Sequence, residues 1–344
     1  MKLKLSEKRR TLLSAYGSIL LVAAVLAIIP LFMKTQYKVQ TLTMMLLWAY
    51  MATSWNIVGG SIGLFGLGNG VYMALGGYLT VTLHRYFNIS PWIGMLIAAV
   101  VVATISCIIT FPCFRLKGTY YSLSTVAVLM IGKTLITNNR EMFGLVIGGA
   151  AGLKMPYRGG FANMQFVKKE PYFYIMLAFF VILLLVTTKI RYSKMGYYFS
   201  AIKANQDAAE TLGVNTSKYK LYAQFIAVAF TAIGGAFYGE LVLFLDPARI
   251  LSYGFSLEIV LYAIVGGLGT LWGPAVGAFI LYPVSEFLRV QFGDAGSLSK
   301  AFYAVIFMVV VFFMPQGIFP ALKKLITELF YKLKQKKEAK GCQK

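Results

Sequence analysis

The chain alternates long apolar runs with short polar interruptions along its whole length. The apolar stretches fall at roughly 12–33, 41–58, 64–83, 91–111, 119–136, 171–188, 220–240, 255–268, 274–289 and 301–319. Most are close to the twenty residues that an α-helix needs to cross a bilayer. The pattern therefore predicts an all-α polytopic membrane protein with about ten transmembrane helices. The fifth stretch contains Lys133, and the third, eighth and ninth are rich in glycine. Those four are candidates for short or broken helices, which would bring the count to eight or nine.

The longest polar interruption between spans is basic and runs from Lys189 to Lys220. Within it lies Asp207-Ala208-Ala209-Glu210-Thr211-Leu212-Gly213. Alanine, glutamate and leucine favour helix, and glycine is a common stop just past a helix end. A short surface helix is expected there, of the kind a separate subunit can grip. At the N-terminus, Lys2, Lys4, Lys8, Arg9 and Arg10 precede an apolar stretch from Leu12 to Met33. That stretch is too long for a signal-peptide core and no small-x-small cleavage site follows, so it reads as an uncleaved first span.

Lysine and arginine set the expected orientation. The segments 1–11, 115–117, 189–220 and the tail from Lys323 together hold 21 of the 33 basic residues. By the positive-inside rule these face the cytoplasm, with an even number of spans and both termini inside. The long outer loop 137–170 carries five basic residues and is the exception. The expected organisation is a cytoplasmic N-terminus at 1–11, a membrane domain at 12–320 with the inner loop at 189–220, and a cytoplasmic tail at 321–344. Leu322, Leu325, Ile326, Leu329, Phe330 and Leu333 recur with helical spacing in that tail. It is read either as a segment lying on anionic lipid or as a solvated tail.

Composition narrows the class further. Hydrophobic residues make up 58% of the chain, charged residues 13%, and the mean hydropathy is +0.70. Soluble domains carry about 25% charged residues. A net charge of +21 raises the question of nucleic acid. The cations sit in tails and loops without interleaved aromatics or a nucleic-acid motif, so membrane topology is the simpler account. Cys107, Cys113 and Cys342 show no paired spacing, and His84 is the sole histidine. Neither a disulfide framework nor a zinc site is expected.

Two arrays of small residues stand out. The first runs from Gly59 to Gly70 and contains Gly63, Gly66, Gly68 and Gly70. It lacks the lysine of a phosphate-binding loop and the strand that would precede one. Small residues at such spacing let helices approach closely in lipid, or let a helix unwind where it lines a cavity. The second runs from Gly266 to Gly277, where Gly269, Gly273 and Gly277 repeat every four residues. That spacing predicts one glycine face on one helix, and Pro274 is placed to open it.

With these segments in view, the chain resembles the permease subunits of branched-chain amino-acid ABC importers over nearly its full length. Four stretches carry the resemblance: Gly60-Ser61-Ile62-Gly63 through Gly77-Tyr78; Phe114-Arg115-Leu116-Lys117-Gly118-Thr119-Tyr120-Tyr121-Ser122; Tyr197 to Leu221; and Ser256-Leu257-Glu258-Ile259-Val260 through Gly273-Pro274. The resemblance implies that the loop around Asp207, Ala208, Ala209, Glu210 and Gly213 docks on an ATPase subunit. It implies a second homologous permease, two cytoplasmic ATPases that bind the ATP, and an extracytoplasmic solute-binding protein. It also implies no cofactor in this chain and a bacterial inner-membrane location. Two departures leave the solute open among amino acids, urea, amides, sugars and nucleosides. Gly66-Leu67-Gly68-Asn69 stands where Ser-Leu-Gly-His is usual. Ile147-Gly148-Gly149-Ala150-Ala151-Gly152-Leu153 stands where Thr-Gly-Gly-x-x-Gly-Leu is common.

Ionisable residues at membrane depth are functional candidates. Lys133 lies roughly 22 Å into its span at 1.5 Å per residue, from which a lysine can snorkel to the surface or face the pathway. Glu240 and Glu258 flank the seventh and eighth spans and are read either as interfacial hydrogen-bonding groups or as pathway charges. No HExxH pattern occurs, and His84 lacks an obvious nucleophile partner, so an intramembrane enzyme is not expected. A secondary transporter with glycine-broken spans is the competing reading. ATP dependence separates the two.

Overall fold

The architecture is that of a computed structural model, which describes residues 2–33, 35–116, 118–142, 144–292, 296–314, 316–322 and 324–325. The tail beyond Leu325, with Cys342 and most of its periodic apolar positions, lies outside the described residues, as does Lys117. The side chains of the first eleven residues are also outside them.

Helices cover all ten apolar stretches. They are α1 (Lys2–Ile28), α2 (Gln36–Val58), α3 (Asn69–Phe87), α4 (Pro91–Cys113), α5 (Thr119–Asn138) and α6 (Glu170–Arg191). The basic loop after α6 adds α7 (Lys194–Ala204) and α8 (Gln206–Thr211), followed by α9 (Thr216–Val242) and a single turn, α10 (Pro247–Ile250). The chain then continues as α11 (Tyr253–Gly266), α12 (Gly273–Gln291) and α13 (Gly296–Phe313). Five of these have the length and apolarity to cross a membrane by composition alone: Leu12–Phe32, Pro91–Cys113, Thr119–Asn138, Glu170–Arg191 and Thr216–Val242. Helix α1 continues without a break through the basic segment, so the expected boundary at residue 12 is not a change of structure.

Four long helices form the centre. α9 packs along α3, α4 and α2, and its own sequence explains why. Ala223, Ala227, Ala232, Gly234, Gly235 and Ala236 are buried and small. Little apolar surface is hidden from water in lipid, so helices associate through close backbone fit. A β-carbon on Gly235 would meet the Met73 carbonyl oxygen at 1.9 Å, and one on Gly76 would meet that of Ala232 at 2.3 Å. These two contacts lock α3 against α9. α2 is buried along most of its length between α6, α9, α11 and α12.

Two ends can be told apart by which segments meet. At one end lie α7, α8, the stretch 59–60, the stretch 267–272 and Phe114. Residues 316–320 belong to the same end, because Gly317 and Pro320 pack on Gly267. At the other end the loop 139–169 folds over the helix ends. There β1 (Glu141–Met142) pairs with β2 (Leu145–Val146) as a small hairpin. β3 (Leu153–Lys154) pairs antiparallel with β4 (Phe244–Leu245) just after α9. Gly152 sits at φ +75° with the Leu245 carbonyl oxygen 2.6 Å from where a β-carbon would stand. That accounts for a glycine at this position of the loop motif.

Two expected spans lose helix at one end. The third was expected from residue 64, yet helix begins only at Asn69 and residues 59–68 form turns and extended chain. The eighth ends at Gly266, and 267–272 is a non-helical link to α12. With 14 residues, α11 rises only about 21 Å, less than a hydrocarbon core of about 30 Å.

Candidate functional site

The loop 189–220 folds as a two-helix hairpin tied to the rest of the chain on both sides of its elbow. Asn205 is the elbow. Its extended backbone (φ −160°) ends α7, and its Oδ1 accepts from the Ala208 N–H at 3.1 Å, capping α8. Capping supplies a partner to an N–H that the helix itself cannot satisfy. Gly213 follows α8 at φ +83°, and Asn215 caps α9 in the same way through the Lys218 N–H.

Polar side chains brace this hairpin. The Glu210 carboxylate accepts from Gln206 Nε2 at 3.0 Å and from the Thr216 hydroxyl. Those two hydrogen bonds hold its acid below the usual carboxylate range, so it is ionised at neutral pH. Lys220, buried at the foot of α9, donates to Gln206 Oε1 at 2.7 Å and to the Phe114 carbonyl at 3.4 Å. Its ammonium also lies 5.8 Å from the centre of the Phe114 ring. One buried cation thus joins α8 to the turn after α4.

The two alanines of the loop motif part company. Ala209 is buried against the rest of the hairpin, while Ala208 is exposed. The expected small-residue face is therefore one alanine wide. Leu212, one turn after Ala208, is 84% exposed, and Tyr197 on α7 is 60% exposed, so the hairpin carries exposed apolar surface. Asp207 is exposed on the same short helix. Gly213 is also exposed, with open space where a β-carbon would stand.

On the α7 side of the elbow, Lys203 Nζ donates to the Gly60 carbonyl at 2.6 Å. Gly60 lies in the early glycine segment, and that segment touches the late one directly. Asn56 Oδ1 accepts from the Gly269 N–H at 2.9 Å, and Asn56 Nδ2 donates to the Thr270 carbonyl at 2.9 Å. Backbone that leaves helical geometry inside a membrane protein needs partners of this kind, because lipid supplies none. A cavity of about 440 Å³ opens at this junction, lined in part by Asn56, Gly60, Arg191, Phe199, Lys203 and Thr270.

The glycine arrays differ from expectation in one respect. Gly273 and Gly277 lie on α12 and pack on the end of α11, where β-carbons would meet the Gly267 carbonyl at 2.4 Å and the Tyr262 carbonyl at 2.0 Å. Gly269 is not on that helix face. It sits in the link at φ +72°, because α12 begins only at Gly273, with Pro274 in its first turn. Of the early array, Gly63 has φ +88° beside the Lys203 stem. Gly68 abuts the Thr125 carbonyl, and Gly70 lies against Ile250 and Ser256. Gly66 makes only ordinary contacts, and its carbonyl accepts from Trp55 Nε1 at 2.7 Å.

The three candidate membrane charges lie on three different helices. Lys133 is half-buried on α5. Glu240 is fully buried near the end of α9, where Gln165 Nε2 donates to it at 3.4 Å from the loop that covers that end. The same Gln165 accepts from the N–H groups of Arg158 and Gly159 and donates to the Pro156 carbonyl, which makes it the internal brace of the loop. Glu258 is half-buried on α11, one turn before Tyr262. Among the described residues no cluster of three potential metal ligands occurs.

Sequence reasoning passed over Asn56, Lys203 and Lys220. Asn56 carried a signal, since it is an amide near the end of an otherwise apolar span. Lys220 stood at the first position of an expected span and read as its boundary. Lys203 looked like any other cation of a basic loop.

The chain is thus a predominantly helical protein with apolar spans, non-helical links between some of them and a braced loop hairpin at one end. Residues 37–311 match the family of branched-chain amino acid transport system permease components. The chain belongs to that family. It is 25% identical over 324 residues to the high-affinity branched-chain amino acid transport system permease protein LivM of Salmonella typhimurium, covering 88% of this chain and 74% of the relative. The Escherichia coli LivM is 25% identical over 319 residues, with 86% and 73% covered. The fructose import permease protein FruF of Bifidobacterium longum is 26% identical over 253 residues, with 70% and 67% covered.

Proposed function

We propose that this chain is the membrane-spanning permease of an ATP-driven importer that carries a branched-chain or related amino acid into the cytoplasm. It works beside a second homologous permease, above two ATPases that bind the ATP, and receives solute from an extracytoplasmic binding protein. The ten helices cross an inner membrane in alternation, with both termini and the α7–α8 hairpin inside. Family membership and the likeness to the LivM proteins support the solute class. The basic residues of the hairpin and the packing of 316–320 at the hairpin's end support the orientation.

One observation carries the mechanism. The hairpin presents Ala208 and the exposed Leu212 outward while Lys203 and Lys220 fix it to backbone of the membrane domain. Exposed apolar surface on a rigid mount is what a docking partner needs. ATPase closure pushes the hairpin, and the hairpin biases the permease between outward-open and inward-open states.

Proteoliposomes holding both permeases, the ATPases and the binding protein test this reading. Leucine, isoleucine or valine uptake is expected to require ATP. Ala208→Trp is expected to cut uptake about tenfold, a loss of about 1.4 kcal/mol in coupling, with the complex still assembled. Uptake that runs without ATP would make the chain a secondary transporter. Because FruF is also a relative, fructose and other sugars belong in the competition panel. Uptake of a sugar with no response to amino acids would replace the solute class and leave the architecture standing.

A further inference from the structure

We infer that Lys203 is a positioning residue for coupling: through the Gly60 carbonyl and Asn56 it links the α7–α8 hairpin to two breaks between helices, 59–68 and 267–272, so that one displacement of the hairpin moves both breaks together. The inference rests on the hairpin being the ATPase-docking element.

Every link is a single hydrogen bond. Lys203 Nζ donates to the Gly60 carbonyl at 2.6 Å. Asn56 lies one turn earlier, at the end of α2, and its amide spans the gap to the second break, accepting from Gly269 and donating to Thr270. The two breaks also touch through backbone alone. A β-carbon at Gly60 would stand 2.6 Å from the Gly269 nitrogen, and one at Gly269 would stand 2.8 Å from the Gly60 carbonyl oxygen and 3.3 Å from Lys203 Nζ. Gly60 and Gly269 are thus pressed together under the lysine head.

Three features distinguish this junction from ordinary packing. Gly60 lies in the turn just past the end of α2 and Gly269 in the link before α12, and residues at helix ends and in loops can absorb changes of φ and ψ. The lysine reaches the first break from a different element, along a stem that packs on Gly63. The cavity of about 440 Å³ on the same residues supplies room into which the junction can shift, whereas close-packed interiors resist motion. Lys220, by contrast, grips the turn between two continuous helices, so it anchors the hairpin without reaching a break.

The test uses the whole complex in proteoliposomes, with Cys107, Cys113 and Cys342 replaced by serine and a reporter cysteine at Ser61→Cys. Maleimide labelling of position 61 reports movement of the first break. In the parent, labelling is expected to change several-fold on adding ATP with binding protein. Lys203→Met keeps the aliphatic stem and removes the charge. It is expected to abolish that ATP-dependent change and to raise ATP hydrolysed per solute moved about tenfold, with the thermal midpoint within a few degrees of the parent. Lys203→Arg is expected to restore much of both. Ala208→Trp runs in parallel. If it uncouples transport while Lys203→Met leaves labelling and stoichiometry as in the parent, the inference fails and the docking reading stands. If neither variant uncouples, the docking reading fails and takes the inference with it. Loss of assembly in Lys203→Met would make the lysine a folding residue and also overturn the inference.

Discussion

Residues 59–70 and 266–277 are similar in composition, and both begin where an apolar helix ends. In the late segment, Gly273 and Gly277 serve helix packing. Their missing side chains let α12 press its backbone onto the end of α11. In the early segment, most glycines lie outside helix, and the chain crosses ten residues with backbone groups that neighbours must satisfy. Trp55, Thr125 and Ser256 each supply a side-chain partner there, to the Gly66 carbonyl and to the Leu67 and Gly70 N–H groups. The late segment lowers the cost of close approach, and the early one depends on borrowed hydrogen bonds. Similar glycine content therefore does not mean similar structure. What differs is whether residues in between can continue the helical ladder.

The largest expected effect is at the point where the two segments meet. In Gly60→Ala the new methyl would stand 1.8 Å from Asn56 Oδ1 and 2.6 Å from the Gly269 nitrogen. Since the second atom is backbone, rotamer changes alone cannot relieve it. Uptake is expected to fall at least about tenfold, and the thermal midpoint in detergent should drop with the yield of assembled complex. A Gly60→Ala protein with parental uptake would show that the segments do not press together.

Gly277→Ala tests the packing segment alone. Its methyl would meet the Tyr262 carbonyl at 2.0 Å, so α11 and α12 must separate. A loss of about 1–3 kcal/mol is expected, the usual cost of overpacking. It should appear as reduced thermal stability, with the number of ATP hydrolysed per solute unchanged. Uncoupling without loss of stability would place Gly277 in the moving junction instead.

Asn56→Leu sharpens the comparison from the hydrogen-bond side. It leaves the Gly269 N–H and the Thr270 carbonyl without their partner, at about 1–3 kcal/mol for each buried unsatisfied group. Asn56→Asp keeps the acceptor toward Gly269 and loses the donor toward Thr270, so it should fall between Asn56→Leu and the parent in thermal midpoint. The reverse order would mean that the amide does not bridge the breaks.

Gly66→Ala is expected to have the smallest effect. Its methyl would meet only Thr125 and Tyr121 at 3.8 Å, an ordinary contact. Uptake and thermal midpoint are expected to stay at parental values. A large loss there would mean that the early segment needs backbone freedom at positions where it shows no strain.

The amino-acid pattern by itself determined the membrane class, the places of the ten apolar helices and the short helix at Asp207–Gly213. These follow from local causes: the length of an apolar run, helix propensity and a glycine stop. It also determined the family, through segments such as Tyr197–Leu221 and Gly267–Pro274 that read as motifs. Tertiary structure decided the rest. Nothing local to Lys203 or Lys220 separates them from the other cations of a basic loop. What sets them apart is that Gly60 and Phe114, 143 and 106 residues away, bring carbonyl oxygens to their ammonium groups. Ala208 and Ala209 are identical in sequence terms, and only the packing of α8 on its neighbours buries one and exposes the other. The four-residue spacing of Gly269, Gly273 and Gly277 implied one helix face, yet the first of them lies in a turn against Gly60, at φ +72° before the helix begins. Spacing measures position along an element that already exists. Where a helix stops in lipid depends on which distant groups can satisfy the backbone it leaves behind.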